Sequence, residues 1–168
     1  PRTSSGTMPC IRVLRTAVIP ALPRLDTKTS SRERATHREK EKRNTLVENA
    51  SFTAVCPSFS RFPFEVWIVP KRHVTSLTAF SEKEAQRFMQ LLRECIRRIY
   101  FVAKDYNVVF HESPKNADLH FHAELYPRTS HLAGVELGTG IIVNGKGEQE
   151  ALKTLRRIGP HATEKKTR

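Results

Sequence analysis

The sequence predicts an α+β protein, in which an antiparallel-leaning sheet of about five strands packs against one long helix and one short helix. The first observation is the strict alternation of apolar and polar residues along 118–126, which is the period of a half-buried strand. The second is a series of apolar side chains three or four residues apart after Ser81, which is the period of an amphipathic helix.

Length and charge divide the chain into three parts. Its 168 residues suffice for one domain with a core, which we place at residues 44–158. Residues 1–43 hold 11 basic and 4 acidic side chains, show no sustained periodicity, and are predicted to be a disordered basic extension. Residues 159–168 form a basic tail. Because most of the net charge of +12 lies in these ends, the core is not predicted to bind polyanions.

Cysteine usage and hydropathy indicate the compartment. The three cysteines are widely spaced and form no CxxC motif, so we expect no disulfide framework and a reducing, cytoplasmic environment. Organelle targeting through the Arg-rich, acid-poor residues 1–43 is the alternative. No run of 18 apolar residues occurs, so we expect no membrane span.

The predicted elements of the domain follow in order. Ser81 begins the long helix as its N-cap, and Glu84 three residues later completes a capping-box pattern. Residues 134–140 are predicted to form a loop or a short strand. The strands are predicted at Phe52–Cys56, Glu65–Val69, Asn107–His111, 118–126 and Ile141–Val143, and the short helix at Glu148–Ile158. The core-facing stripe of the long helix is predicted to comprise Ala85, Phe88, Met89, Leu92, Ile96 and Ile99.

The polar face of the strand at 118–126 is the first candidate site. Alternation places His120, His122 and Glu124 on one face, opposite an apolar face that packs on the core. Nitrogen and oxygen ligands of this kind suit zinc or iron, and His111 from a neighbouring strand is a further ligand candidate. The same residues also suit phosphoryl chemistry, in which a neutral imidazole attacks phosphorus. The alternative to a site is the exposed polar face of an edge strand.

Two other stretches are weaker candidates. The glycines of Gly134–Gly140 indicate tight turns, or a backbone-lined pocket in which Glu136 meets a polyhydroxy ligand. The basic turn at 71–73 follows a strand, and it is either a solvated turn or a phosphate contact.

Four motifs occur in an order that resembles one family. They are FPFEVWIVPKRHV, the capped helix, the HxHxE strand ending in YPR, and AGVELGTGIIVN. Together they resemble the C-terminal half of galactose-1-phosphate uridylyltransferases, within the histidine-triad-like superfamily. The resemblance covers roughly residues 44–158, whereas residues 1–43 resemble nothing in the family.

The resemblance implies a histidine-triad-like fold and a nucleotidyltransferase that moves UMP between UDP-glucose and galactose 1-phosphate through a covalent uridylyl-histidine. The nucleophile of that family lies in a His-Pro-His motif of the N-terminal half, and this sequence contains no His-Pro-His. The resemblance also implies a homodimer built from paired halves. It places His111, His122 and Glu124 where relatives have second-half metal ligands, with Glu124 in place of a histidine, and it places the family's remaining ligand in the first half. Gly134 and Glu136 fall in the stretch that contacts the sugar, and His120 is a further candidate for substrate binding.

Three functions remain open from the sequence. The first is the second half of a hexose-1-phosphate uridylyltransferase-like protein, with zinc or iron, which needs a first half to be active on a UDP-sugar and a sugar 1-phosphate. The second is a self-sufficient histidine-triad-like nucleotide hydrolase or phosphorylase with His122 as its catalytic nucleophile. The third is a non-catalytic nucleic-acid-binding protein that acts through its basic ends.

Overall fold

The chain folds around one five-stranded antiparallel sheet. The computed structural model describes residues 43–114, 118–129 and 133–159. In spatial order the strands run β1-β2-β3-β5-β4, and every neighbouring pair is antiparallel. Their bounds are Thr45–Glu48 (β1), Phe52–Val55 (β2), Val66–Pro70 (β3), Tyr106–His111 (β4) and His122–Pro127 (β5).

Three helices and a 3-10 turn follow β3 within the described ranges. After a 3-10 turn at Leu77–Ala79 come α1 (Glu82–Tyr100), α2 (Gly134–Thr139) and α3 (Glu148–Arg157). The predicted capping box of α1 is present, since Ser81 accepts from the Glu84 backbone and the Glu84 carboxylate accepts from the Ser81 backbone. The α+β class predicted from the sequence is therefore confirmed.

Both longer helices cover the same face of the sheet. One hydrophobic core lies on this face. It fully buries Phe121, which directly precedes β5, and Ala123 and Leu125 within β5. Helix α1 contributes Phe88, Leu91, Leu92, Cys95 and Ile99 to this core, and α3 contributes Leu152 and Leu155. Arg98 joins the two helices, because its buried guanidinium donates to the Leu155 carbonyl at 2.9 Å. The opposite face of the sheet is thus left to carry the polar side chains.

The fifth strand of the sheet is β1, and the prediction of a strand at Ile141–Val143 is wrong. The amide of Ile141 donates to Thr139 Oγ1 at 3.2 Å, and the amide of Val143 donates to Glu136 Oε1 at 3.1 Å. These local bonds engage amides that a strand ladder would use. β1 has only four residues and carries a register shift, so it lacks a clear alternating pattern.

Other predictions also needed correction. Residues 134–139 form a short helix rather than a loop or strand, and Gly140 ends it in the left-handed conformation at φ 71°. The strand predicted at 118–126 begins only at His122. On α1, Ala85 and Met89 are exposed, the latter by 59%, so neither belongs to the core-facing stripe.

Several predictions lie outside what the structure describes. These concern the basic extension up to residue 42, the tail from residue 160 and Cys10. Within the described ranges, Cys56 and Cys95 are both buried and free, and burial raises the pKa of the Cys56 thiol to about 12. No helix in these ranges combines the length and apolar character needed to cross a bilayer.

Candidate metal centre

Three side chains meet on the sheet face that the long helices leave uncovered. His111 ends β4 and lies directly opposite His122 at the start of β5, while Glu124 lies two residues further along β5. Residues directly opposite in an antiparallel pair project to the same face. The sheet register therefore brings together the three residues that the family resemblance pointed to as metal ligands.

The cluster is buried. The exposed fractions are 9% for His111, 4% for His122 and 0% for Glu124, and β5 lies between β3 and β4 rather than at an edge of the sheet. The interpretation of this face as the exposed side of an edge strand is therefore wrong. A buried carboxylate between two imidazoles is costly unless its charge is compensated.

The polar atoms of this cluster converge without forming hydrogen bonds. His111 Nε2 lies 2.9 Å from Glu124 Oε2, and His122 Nε2 lies 3.5 Å from Glu124 Oε1, but neither approach is aligned for a hydrogen bond. One ligand atom from each residue lies within 4.8 Å of the others. Donors around a tetrahedral zinc ion are roughly 3.3 Å apart when each bond is about 2.0 Å. The two separations of 2.9 and 3.5 Å bracket that spacing.

The tautomer of His122 suits ligation. Its Nδ1 lies 3.0 Å from the carbonyl oxygen of His120, which can only accept, so Nδ1 carries the proton. Nε2, the atom that faces Glu124, is then the ring nitrogen left to bind a metal. A backbone carbonyl that fixes the ring in this way is typical of histidine ligands to metals.

Aromatic rings hold the His122 imidazole in place. It stacks on His111 with ring centroids 4.6 Å apart, and on Trp67 of β3 with centroids 4.9 Å apart. Trp67 lies opposite Glu124 in the β3–β5 register and so shares its face. Phe59 packs edge-on against Trp67 at 5.1 Å. The rings restrict His122 to one orientation.

The charge of Glu124 is balanced by its neighbours. Burial alone would raise the pKa of this carboxyl, but the imidazoles of His111 and His122 bring the pKa below its ordinary value. Arg61 Nη2 lies 3.7 Å from Glu124 Oε2 and donates to the Tyr126 hydroxyl at 2.7 Å. Glu124 is therefore held as a carboxylate, the form that binds a cation.

His120 is not part of this cluster. It precedes β5, and its Nε2 donates to the Pro70 carbonyl at 3.0 Å. Its ring stacks on His73, whose Nδ1 lies 3.1 Å from His120 Nδ1 and whose Nε2 lies 2.6 Å from Asp118. Burial lowers the pKa of His120, and the neighbouring His73 and His122 add to this effect. The structure thus separates His120 from His122 and Glu124.

Gly134 and Glu136 also lie apart from the buried cluster, on α2. Both oxygens of Glu136 accept backbone hydrogen bonds, from Ala133 at 2.9 Å and from Val143 at 3.1 Å. These bonds lower the pKa of the Glu136 carboxyl. Asn144 then donates to the Ser60 carbonyl at 3.0 Å, which links this segment to the loop before β3. Glu136 consequently has a structural role in addition to its predicted contact with sugar.

The basic turn at 71–73 is engaged with acidic residues. Lys71 lies 2.8 Å from Glu48, and Arg72 forms a two-pronged pair with Glu84 at 2.5 and 2.8 Å. These contacts favour a turn that anchors α1 over a phosphate contact.

The fold and the buried cluster define a histidine-triad-like α+β domain with a candidate metal centre. A Hit-like protein from Bartonella henselae superposes with a TM-score of 0.53 over 67% of this chain and 84% of that chain, at 14% identity, which shows the fold alone. The chain belongs to the family described as galactose-1-phosphate uridyl transferase, C-terminal domain, which matches residues 27–143.

The relatives are longer proteins. A galactose-1-phosphate uridylyltransferase from Thermotoga maritima is 33% identical over 125 residues, which cover 66% of this chain and 39% of the relative. An ADP-glucose phosphorylase from Arabidopsis thaliana is 28% identical over 71% of this chain and 36% of its own length. The crystal structure of that phosphorylase with bound ADP-glucose superposes with a TM-score of 0.65, at 27% identity, over 73% of this chain and 42% of that chain. The chain thus spans about two fifths of the length of these two relatives.

Some residues around the cluster escaped the sequence analysis. Arg61, Glu65, Trp67 and Tyr126 all border it, but they belong to a loop and to strands whose pairing is not local. One signal was present, since Glu65 is an acidic residue that directly precedes an apolar strand run. Because acidic side chains are mostly exposed, this signal alone does not predict that Glu65 is buried.

Proposed function

We propose that the chain is the sugar- and metal-binding second half of a hexose-1-phosphate uridylyltransferase-like enzyme. The reaction is nucleotidyl transfer between a UDP-sugar and a sugar 1-phosphate. Family membership over residues 27–143 is the observation that carries this proposal. An ADP-sugar is a second candidate substrate, because one relative is an ADP-glucose phosphorylase.

In the proposed reaction, the nucleophile is a histidine of a first half. That histidine attacks the α-phosphorus of the UDP-sugar, forms a phosphorus–nitrogen bond and releases the sugar 1-phosphate. The oxygen of a second sugar 1-phosphate then displaces the histidine and takes the UMP group. The present chain contributes sugar contacts through Gly134 and Glu136, with His120 as a further substrate-binding candidate. This division of labour requires a complementary first half, and a homodimer is the further assembly that the family resemblance implies.

Zinc or iron is the proposed occupant of the buried cluster, with His111, His122 and Glu124 as ligands. The support is the set of four buried polar atoms that lack hydrogen-bond partners, namely Nε2 of both histidines and both Glu124 oxygens. Buried polar atoms are otherwise almost always paired. A bound divalent ion would neutralise Glu124 and fix the end of β4 against β5.

The geometry favours His122 as a ligand over His122 as a nucleophile. Its Nε2 is buried, faces a carboxylate and lies in a ring sandwiched between Trp67 and His111. A nucleophile must instead reach a phosphorus atom with an unobstructed lone pair. Catalysis by His122 is a prediction that trapping a phosphoramidate would test, and unchanged nucleotide-sugar hydrolysis by His122→Ala would contradict it.

The central test of the transfer reaction is UMP exchange between UDP-glucose and galactose 1-phosphate, with ADP-glucose assayed in parallel. We expect no exchange with the full chain alone. Exchange should appear when a first-half protein that contains His-Pro-His is added, and that protein alone is the control. Full exchange by the chain alone would contradict the proposed division of labour.

A further inference from the structure

We propose that Glu65, which is not a ligand candidate, is a positioning residue of the metal centre. Its carboxylate fixes the ring of Trp67, which stacks on His122. The same carboxylate fixes the loop that places Arg61 beside Glu124. The inference rests on the metal centre proposed above and concerns how its ligands are oriented.

Glu65 uses both carboxylate oxygens and is almost fully buried, with 1% of its surface exposed. Oε1 accepts from the Trp67 indole nitrogen at 2.6 Å. Oε2 accepts from the backbone amides of Arg61 at 2.8 Å and Phe62 at 3.1 Å. Burial raises the pKa of Glu65, and these hydrogen bonds oppose the rise. A group that is costly to bury and bonded at three points specifies the arrangement of its partners.

The loop that Glu65 holds adopts a strained conformation. The Glu65 amide donates to the Phe62 carbonyl at 3.3 Å, which closes a four-residue turn with Pro63 second and Phe64 third. Phe64 has φ 60°, the left-handed region that the third position of a type II turn requires and that glycine usually fills. Such strain persists only where surrounding contacts determine the backbone. The Glu65 carboxylate supplies those contacts from within the turn.

Trp67 and Arg61, the two side chains that Glu65 positions, each contact a proposed metal ligand. Trp67 lies parallel to His122, with ring planes 19° apart, so the direction of the indole sets the space available to the imidazole. Arg61, held at its backbone by Glu65, places its guanidinium against Glu124 and Tyr126. Loss of the Glu65 acceptors should therefore release one contact on each of two ligands. Changes around metal ligands of this kind typically cost roughly 10–100-fold in metal affinity.

The decisive variant is Glu65→Gln, compared with wild type in the full chain. An amide keeps the shape of the side chain but replaces one acceptor oxygen with an NH2 donor, so either Trp67 or the loop loses its partner. We expect the Kd for Zn²⁺ to rise by roughly 10–100-fold. Trp67 is the single tryptophan of the chain, so its near-ultraviolet circular dichroism should weaken in the metal-free variant.

Glu94→Gln is the matched control. Glu94 is bonded to Arg97 and Arg98 of α1, on the other side of the sheet, so this change can lower stability without touching the cluster. Its Kd for Zn²⁺ should equal that of wild type. Trp67→Phe serves as the second variant if Glu65→Gln does not fold, because it removes the indole donor and should also weaken Zn²⁺ binding.

The outcomes separate this inference from the proposed function. A wild-type chain that binds no Zn²⁺ overturns the metal centre, and the positioning role with it. If wild type binds Zn²⁺ and the Kd is the same in Glu65→Gln, the positioning role alone is overturned. The same holds for Trp67→Phe where that variant is used. If the near-ultraviolet circular dichroism of Trp67 changes in Glu65→Gln but the Kd for Zn²⁺ does not, the positioning role is also overturned. The position of the indole ring would then have no effect on metal binding by His122.

Discussion

At the scale of single residues, the acidic side chains of this domain fall into two environments. Glu65 and Glu124 are buried beside polar partners on one face of the sheet, whereas Glu84 lies at the surface in a pair with Arg72. A buried carboxylate organises its neighbours because water cannot replace the polar groups around it. A surface pair instead makes stability depend on pH.

Glu84 should make the stability of the fold sensitive to acid. The hydrogen bonds from Arg72, and then those from Ser81, lower the pKa of Glu84 from 4.5 to about 2. A carboxyl with a lowered folded-state pKa stabilises the fold above its ordinary pKa, and this contribution is lost as the pH falls. The difference in free energy of unfolding between wild type and Glu84→Gln should therefore be largest above pH 4.5 and shrink towards pH 2. Urea titrations across this range measure it, and a difference independent of pH would contradict the assignment.

At the scale of elements, the ends of the helices are determined by specific side chains. Ser81 and Glu84 begin α1 with reciprocal bonds, and Glu136 ties the start of α2 to the extended residues that follow it. Local patterns of this kind can be recognised from sequence, as the capping box of α1 was. The helix at Gly134–Thr139 was not, because its glycines at both ends equally suit turns.

Removing the N-cap of α1 should destabilise the domain. Ser81→Ala removes the acceptor for the Glu84 amide, and loss of such a cap typically costs about 1 kcal/mol. Ser76→Ala is the matched control, because Ser76 precedes the 3-10 turn without a side-chain cap bond and its hydroxyl contacts the Thr78 hydroxyl at the surface, at 2.7 Å. Chemical denaturation should show the larger loss for Ser81→Ala, and equal losses would argue against a role for the cap.

Glu136 should control the segment after α2. In Glu136→Ala the Val143 amide loses its acceptor, so its hydrogen exchange should become faster than in wild type. Glu150→Ala is a suitable control, since Glu150 is exposed and its contact is with Lys146. Exchange measured by NMR at Val143 tests this, and an unchanged rate would show that the bond does not protect the amide.

At the scale of the whole molecule, the order of the strands decides what the polar residues can do. The alternation in 118–126 predicted a polar face, but the burial of that face depends on side chains from other parts of the chain, which no local pattern encodes. Non-local strand pairing brings Trp67 and His111 to His122. The family resemblance grouped His111 with His122 and Glu124. Periodicity alone grouped His120 with His122 and Glu124.

The proposed role also depends on how much of its relatives' length this chain covers. It corresponds to 39% of the Thermotoga maritima transferase and matches the C-terminal domain of the family. The proposed activity therefore depends on residues that relatives carry elsewhere in their chains. Metal binding, in contrast, is proposed for residues that all lie in this chain, so it can be measured directly.

The most direct measurement is the Zn²⁺ affinity and stoichiometry of the purified chain, compared with those of Glu124→Gln. The amide of Gln has nearly the shape of the carboxylate but lacks its charge, so ligation should be lost while packing is retained. We predict one Zn²⁺ bound per wild-type chain, and in Glu124→Gln a loss of affinity at least as large as the roughly 10–100-fold that changes around metal ligands cause. Glu94→Gln should bind as wild type does. Equal Zn²⁺ binding by wild type and Glu124→Gln, or none by wild type, would contradict the assignment of a metal centre.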